Sequence, residues 1–414
     1  MKSHSLFPFA AVTTLAITLL CVAAPALEGT FAIGAGPTHT AWVGAGVSEP
    51  RDGLWTALNP AAIVDLNRRL DLSIAGILTD ITMYPRGIGA NPLHREIPDE
   101  DLYGTGTASL VVPTQCGTWS VAFWTPSGVG VTFPHSRNLF SMLLGNRDRR
   151  LTYEHARLGA AYAYEFDNGW ALGIEAHASI SRFRTDHLTL KLTSAQADYD
   201  YDEALGGGLG IGVYKTWEKL SFGASYHSRE WVDEFNEYDD LLKHSVDLPQ
   251  YFQTGIGYEV APWLTIIADY KWIDWSGVSQ HGDAPMGDAA ELLSMNPVAG
   301  GFGREDQHIV KLAFESPLNG KWIVRGGYSR ALTDVIPDDQ VFLNSLVPTL
   351  TRDHFALGAA YKVNDRWEIQ ATWLHAVDRE MEENGRGDLL SKLGKGSRIE
   401  SGSDEILLGC SYTF

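Results

Sequence analysis

The order of turns and loops restricts this chain more than any other property of its sequence. From Leu70 onward, short turn sequences alternate with long polar loops rich in Gly, Asp or Pro. The short ones are Gln115-Cys116-Gly117, Asp167-Asn168-Gly169, Trp217-Glu218-Lys219, Ala261-Pro262, Asn319-Gly320-Lys321 and Asn364-Asp365-Arg366. They have the residue chemistry of tight hairpins, where Gly, Asn, Asp and Pro accept the backbone angles of a reversal. A sheet with short turns along one rim and long loops along the other is how a barrel of the outer-membrane type is built.

The intervening segments alternate with period two, as half-buried strands do. Phe355, Leu357, Ala359, Tyr361 and Val363 oppose His354, Ala356, Gly358, Ala360 and Lys362. Leu158, Ala160, Tyr162, Tyr164 and Phe166 oppose Arg157, Gly159, Ala161, Ala163 and Glu165, and Leu264 to Trp272 repeat the pattern against Thr265 to Ile273. A soluble sandwich also alternates, but its turns need not sort into a short and a long rim. Trp119, Trp170, Trp263, Trp322 and Trp367 each follow a short turn closely, and Trp217 lies within one. That offset predicts a ring of indoles at one membrane level, with apolar rings in lipid and N–H groups at the head groups.

The segments count to about fourteen strands, an even number that leaves both chain ends on the short-turn rim. The last is expected at residues 405–414, with Ile406, Leu408, Cys410, Tyr412 and Phe414 on one face. It should pair with the first and close the sheet, because an open edge in lipid leaves backbone groups unsatisfied. Cys410 then reads as a small lipid-facing residue. The expected fold is an all-β, transmembrane antiparallel barrel with an N-terminal hatch in its lumen. The expected divisions are residues 1–26, a signal peptide; 27–69, the hatch; and 70–414, the barrel.

The signal peptide rests on Lys2, the apolar run at residues 6–22 and the small residues Ala24-Pro25-Ala26. That run is short for a spanning helix, which takes about 20 residues. After its removal only Cys116 and Cys410 remain, so no disulfide framework is expected. The formal net charge of −19 argues against a nucleic-acid partner. Aromatic residues are abundant, with 13 Trp, 16 Tyr and 16 Phe, as interfacial girdles require.

Residues 29–66 are rich in Gly and Ala, and Pro37, Pro50 and Pro60 bar a regular strand. Phe31, Ile33, Trp42, Trp55, Leu58 and Ile63 make a disordered tail improbable on composition. Irregular backbone at membrane depth is tolerated only inside protein or facing a cavity, which leaves a plug. In it Asn59-Pro60-Ala61 forms a candidate gating turn, Asn59 bonding to the wall and Pro60 holding the turn rigid. On the third strand, Pro126-Ser127-Gly128 marks a break or kink, or else the strand's end.

Three apolar clusters stand in long loops: Leu139, Phe140, Met142 and Leu143; Leu292, Leu293 and Met295; and Phe342. Exposed apolar patches mark binding sites, and Leu and Met adapt to flexible ligands. The same residues could pack on one another as a lid. Inward-facing Arg157, Lys271 and Arg325, with Lys311, are candidates for a ligand head group, or could pair with lumen acids such as Glu165, Asp269 or Glu259.

No catalytic constellation is found: there is no Gly-x-Ser-x-Gly elbow and no zinc-like His or Cys spacing. His155, His177 and His227 read as lumen or loop residues. The acidic run at residues 198–203 lacks the Gly a calcium loop needs at its sixth position, which is Glu203. No metal or cofactor is expected.

The lead-in ending in Asn59-Pro60-Ala61, the stretch Tyr270-Lys271-Trp272-Ile273-Asp274-Trp275-Ser276, Ile336-Pro337-Asp338-Asp339 and the terminal Tyr412-Thr413-Phe414 together resemble the FadL/TodX family of outer-membrane transport proteins. The resemblance implies a fourteen-stranded barrel, an N-terminal hatch, and passive uptake of fatty acids or aromatic hydrocarbons without an energy-coupling partner. It also implies a lateral route to the bilayer at a kink in the third strand, here Pro126 to Gly128. Phe414 resembles the terminal signal read by the barrel-assembly machinery. The expected partners are a hydrophobic ligand and outer-membrane lipid, with the protein a monomer. A porin for hydrophilic solutes, a lipid-modifying barrel enzyme and a structural barrel are the rival readings.

Overall fold

The computed structural model describes residues 27–87, 96–99, 101–133, 149–185, 201–238, 242–283 and 300–414. Fourteen long strands form the wall: β1 Arg69–Tyr84, β2 Leu102–Thr114, β3 Gly117–Phe133, β4 Arg149–Glu165, β5 Trp170–Thr185, β6 Asp202–Thr216 and β7 Leu220–His227. They continue with β8 Tyr251–Ala261, β9 Leu264–Ile273, β10 Gln307–Leu318, β11 Trp322–Ala331, β12 Asp353–Lys362, β13 Trp367–Glu382 and β14 Arg398–Thr413. Each pairs antiparallel with the next, and β14 returns to β1 in unbroken register from Arg398↔Tyr84 to Thr413↔Arg69. The first and last strands thus close on each other, and neither is left as a free edge in lipid.

All six hairpin turns fall between consecutive strands, and β1 starts and β14 ends on their rim. β14 begins at Arg398, seven residues before the apolar alternation that marks it in the sequence. Its upper part, Arg398 to Asp404, is polar and carries the strand above the lipid-facing band. Alternating hydrophobicity reports only the part of a strand that meets lipid.

The two faces sort as alternation requires. Ile406, Leu408, Leu357 and Leu158 point outward and are exposed, while Ala356, Ala360, Leu407 and Ala161 point into the lumen and are buried. Trp119, Trp170, Trp217, Trp263, Trp322 and Trp367 are all exposed at the short-turn rim. Trp119, Trp322 and Trp367 each lie about 4.7–4.8 Å, centroid to centroid, from a Tyr on the next strand. Such amphipathic rings fit a membrane interface.

The lumen is filled by the residues that precede β1. A two-rung hairpin joins Leu27–Glu28 to Phe31–Ala32. Helix α1, Gly36–Ala41, starts with Pro37 in its first turn, where a missing N–H costs nothing. Helix α2, Trp55–Leu58, leads into a 3₁₀ turn, Pro60–Asp65. Trp42, Trp55 and Ile63 are wholly buried. The segment meets wall on all sides: Thr372 of β13 donates to Pro37 O, Trp42 donates to Phe314 O of β10, and Tyr214 of β6 donates to Asp65. At its exit the Phe414 N–H donates to Arg68 O at 3.0 Å, and the Arg68 guanidinium lies 4.7 Å over the Phe414 ring. The first residue before the wall is thus clasped by the last residue of the chain.

Candidate ligand pathway and its plug

The plug is held through groups that its irregular backbone leaves unsatisfied. Asp269 of β9 accepts the Gly46 and Val47 N–H groups at 2.9 Å each, and Asp71 of β1 accepts Gly53 N–H at 2.9 Å. Buried N–H groups need such acceptors, and charged acceptors bind them more strongly. Asn59 works in both directions. Its amide donates to Val47 O within the plug at 2.9 Å and to Val213 O of β6 at 3.1 Å, and its oxygen accepts Ala61 N–H. Pro60 and Ala61 press against the wall where β5 and β6 have glycine. A Cβ at Gly173 would overlap the Pro60–Ala61 peptide, and one at Gly212 would overlap the Asn59 side chain. Gly206, Gly208, Gly210 and Gly212 share the inward face of β6, a pattern visible in the sequence as a run of close approaches.

The wall is interrupted at Pro126-Ser127-Gly128. β3 runs on through these residues, so the strand does not end there. Its pairing with β2 is described only from Gly117 to Phe123. Its register with β4 slips between Trp124↔Arg157 and Ser127↔His155, as Pro has no N–H for the ladder. Phe31 of the plug hairpin pairs with Ser127 at this break.

Two clefts adjoin the interruption. One of about 500 Å³ is lined by Phe31, Leu58, Trp124, Pro126, Tyr251 and Lys271 among others. The second, of about 390 Å³, shares Ala32, Gly34, Ala35 and Trp124 with it and reaches Thr105 and Thr125 at the wall. A third, of about 370 Å³, lies toward the long loops and is lined by Val129, Tyr153, Phe183, Val246, Phe302 and Arg304 among others. It belongs to the largest apolar cluster, which spans the upper wall and its loops.

Arg157, Lys271 and Arg325 face inward, and each meets a protein carboxylate. Arg157 Nε lies 2.6 Å from Glu230, whose carboxylate also stands 3.1 Å from His155 and 3.3 Å from His177. Lys271 lies 2.7 Å from Glu28, which Lys311 also contacts. Arg325 lies 2.7 Å from Glu315, with Arg51 at 3.0 Å on the other oxygen. None of the acids proposed from sequence is the partner: Glu165 is exposed, Glu259 is half-buried near the turn, and Asp269 serves the plug backbone. The true partners sit in the plug, in the β7–β8 loop and on a neighbouring strand, which spacing along one strand does not reveal.

Arg304 differs. It is buried, and among the five buried Lys and Arg side chains of the described residues it alone has no carboxylate partner. Burial pushes its guanidinium down to about 9, so it is cationic at neutral pH. Burial first, then the Arg304 charge, hold the His281 imidazole far below its usual value and hence neutral.

Leu139, Phe140, Met142, Leu143, Leu292, Leu293 and Met295 lie outside the described residues. Phe342 is half-buried against the upper apolar cluster. His227 stacks on Tyr251 at 4.5 Å and faces Leu58 O. Asp202, the fifth residue of the acidic run, accepts the Glu237 N–H, and no group of His, Cys, Asp and Glu among the described residues is arranged for a metal ion.

A closed wall, an apolar outer band and a segment filling the bore define a plugged transmembrane β-barrel of the outer-membrane type. The same architecture recurs in solved structures. The Pseudomonas putida toluene transporter TodX matches with a TM-score of 0.72 at 13% identity over 92% of this chain and 99% of that one. A Pseudomonas aeruginosa FadL homologue matches with a TM-score of 0.67 at 14% identity, over 94% and 100%. The Ralstonia pickettii toluene transporter TbuX gives 0.65 at 14%, over 92% and 99%. No family model matches the sequence, and no curated protein does. The chain has the fold of the FadL/TodX barrels, carried by a sequence far from theirs.

Proposed function

We propose that this protein is an outer-membrane channel for passive uptake of hydrophobic small molecules, fatty acids or aromatic hydrocarbons. The observation that carries the reading is the pair of clefts between plug and wall, which meet at the break in β3. A porin for hydrophilic solutes would need an open aqueous bore, and this bore is filled with Trp42, Trp55 and Ile63. The solved barrels of the same fold include proteins titled toluene transporters.

In this reading the apolar loop residues, including Phe342, capture the ligand at the outer mouth. Movement of the plug about Asn59, Pro60 and Ala61 lets it pass, and the interruption at Pro126, Ser127 and Gly128 is the lateral exit to the bilayer. Residues 1–26 direct export, and Phe414 serves insertion by the assembly machinery of a Gram-negative-type cell. The protein acts as a monomer and carries out no chemistry on its ligand.

The test is uptake of labelled toluene and oleate by cells bearing the full chain, with mass spectrometry of apolar molecules that co-purify. Uptake above that of cells lacking the protein is expected, and Asn59→Ala with Pro60→Ala should slow it while the barrel still assembles. Ion conductance in planar bilayers without apolar uptake would return the porin reading.

A further inference from the structure

A group of arginines stands on the outside of the wall, where β4, β5 and the start of β6 run up to the long loops. Arg182 and Arg184 of β5 face outward, because the register Glu154↔Arg182 and Thr152↔Arg184 continues the alternation that turns Leu158 and Ile174 to lipid. Arg150 of β4 is next on the same outward row and is exposed. The Tyr201 ring carries two guanidiniums at once, Arg182 at 4.0 Å and Arg184 at 4.4 Å from its centroid. Like charges held on one ring repel unless anions offset them. For Arg182 the protein supplies the anions: Glu154 at 3.3 Å, which also accepts the Tyr201 hydroxyl at 2.7 Å, and Glu203 at 3.5 Å. Arg184 reaches only the Thr152 hydroxyl, at 3.4 Å, and no carboxylate of the described residues pairs with it. Outward cations elsewhere on the wall are matched, Arg330 of β11 with Asp353 at 3.2 Å and Arg398 of β14 with Glu380 at 3.0 Å.

A guanidinium braced on a phenol ring, with most of its donors unused, fits an oxyanion that several planar forks can share, which is the geometry of a phosphate. Its place on the wall narrows the source. Leu158, Leu205 and Leu209 lie below it on the same outer face and are exposed, so the anion sits directly above surface that meets acyl chains. Free phosphate would make the polar contacts alone; a lipid makes both. We propose that Arg184, flanked by Arg150 and Arg182 and supported by Tyr201, binds the phosphate head group of an outer-leaflet lipid whose chains lie on Leu158, Leu205 and Leu209. That lipid is a fixed neighbour of the wall and not the transported molecule, so the site stands or falls apart from the uptake reading.

The test is native mass spectrometry of the full-length protein in a non-ionic maltoside detergent, titrated with dipalmitoyl phosphatidic acid, with dipalmitoylglycerol and with inorganic phosphate. The wild type should hold phosphatidic acid at least about 10-fold more tightly than dipalmitoylglycerol, the margin of one charge-assisted contact. Arg184→Gln should remove most of that preference and leave dipalmitoylglycerol within about two-fold. Glu203→Gln, which deletes an exposed carboxylate beside Arg182, should tighten phosphatidic acid by about two- to three-fold. Both variants should keep the heat-dependent gel shift of a folded barrel, since the replaced side chains lie outside the bore. A preference unchanged in Arg184→Gln overturns the assignment, and so does weaker binding in Glu203→Gln. Inorganic phosphate that displaces phosphatidic acid at equal concentration would make this a free-anion site, and equal retention of both lipids would leave no head-group site at all.

Discussion

The lower and upper halves of the lumen are built on opposite principles. Below, plug and wall meet through backbone pressed on glycine and carboxylates bonded to plug N–H groups, with the lysines paired on Glu28 at the boundary between the halves. Above, Phe31, Tyr153, Phe183, Trp275, Ile336 and Val341 form an apolar mass with a chamber in it, and one buried cation keeps unused donors. A region clamped by charge-assisted hydrogen bonds and by backbone pressed on glycine has little reason to rearrange around a guest. A region with apolar surface and unmet donors gains from one.

The largest effect that could break this contrast is steric. Gly212→Val places methyl groups where the Asn59 side chain lies, and overpacking costs about 1–3 kcal/mol or more. The barrel should still assemble, shown by its heat-dependent gel shift, but conduct ions in planar bilayers. A sealed Gly212→Val barrel would mean the close approach does not seat the plug. Next is Glu28→Ala, which strands Lys271 and Lys311 without their shared carboxylate; breaking a buried pair costs about 3–5 kcal/mol. The N-terminal segment should become sensitive to protease, with smaller conductance than in the glycine variant.

Phe342→Ala tests the upper half. Its ring is only partly buried, so a loss nearer about 1 kcal/mol than the several of a full core truncation is expected. Ligand affinity should fall several-fold with no ion leak; a leak would show that the mouth also seals the bore. The smallest effect is in pH. Burial and the Arg304 charge hold the buried His281 imidazole well below its ordinary value of 6.5, so the unfolded segment takes up a proton that the folded one refuses. Hydrogen-exchange protection around His281 should be flat from about pH 7 to 8 and decline as pH falls below about 6.5; unchanged protection at about pH 5.5 would mean that the folded imidazole protonates as freely as the unfolded one.

Much of the wall was readable in the sequence because its physics is local. Turn chemistry, the Trp offset and the alternation of Leu357 against Ala356 each involve neighbours in the chain. The plug was readable by elimination, since prolines and apolar residues together leave few places for residues 29–66. The site was less so. Glu28 meets lysines 243 and 283 residues away, and Glu230 reaches Arg157 from a loop, contacts that exist only once the sheet closes. Arg304 carries no motif; it stands out only by lacking the partner that every other buried Lys or Arg of the described residues has. The glycines of β6 were a signal available beforehand, because inward glycines in a strand imply something pressed close.

The clasp between Phe414 and Arg68 ties two events that are otherwise separate. The stalk from which the stopper hangs is pinned by the final residue of the seam, so tension on one is felt by the other. A protein loosened at its carboxyl end should therefore lose not only closure of the cylinder but also the fixed point about which its inner cork could swing.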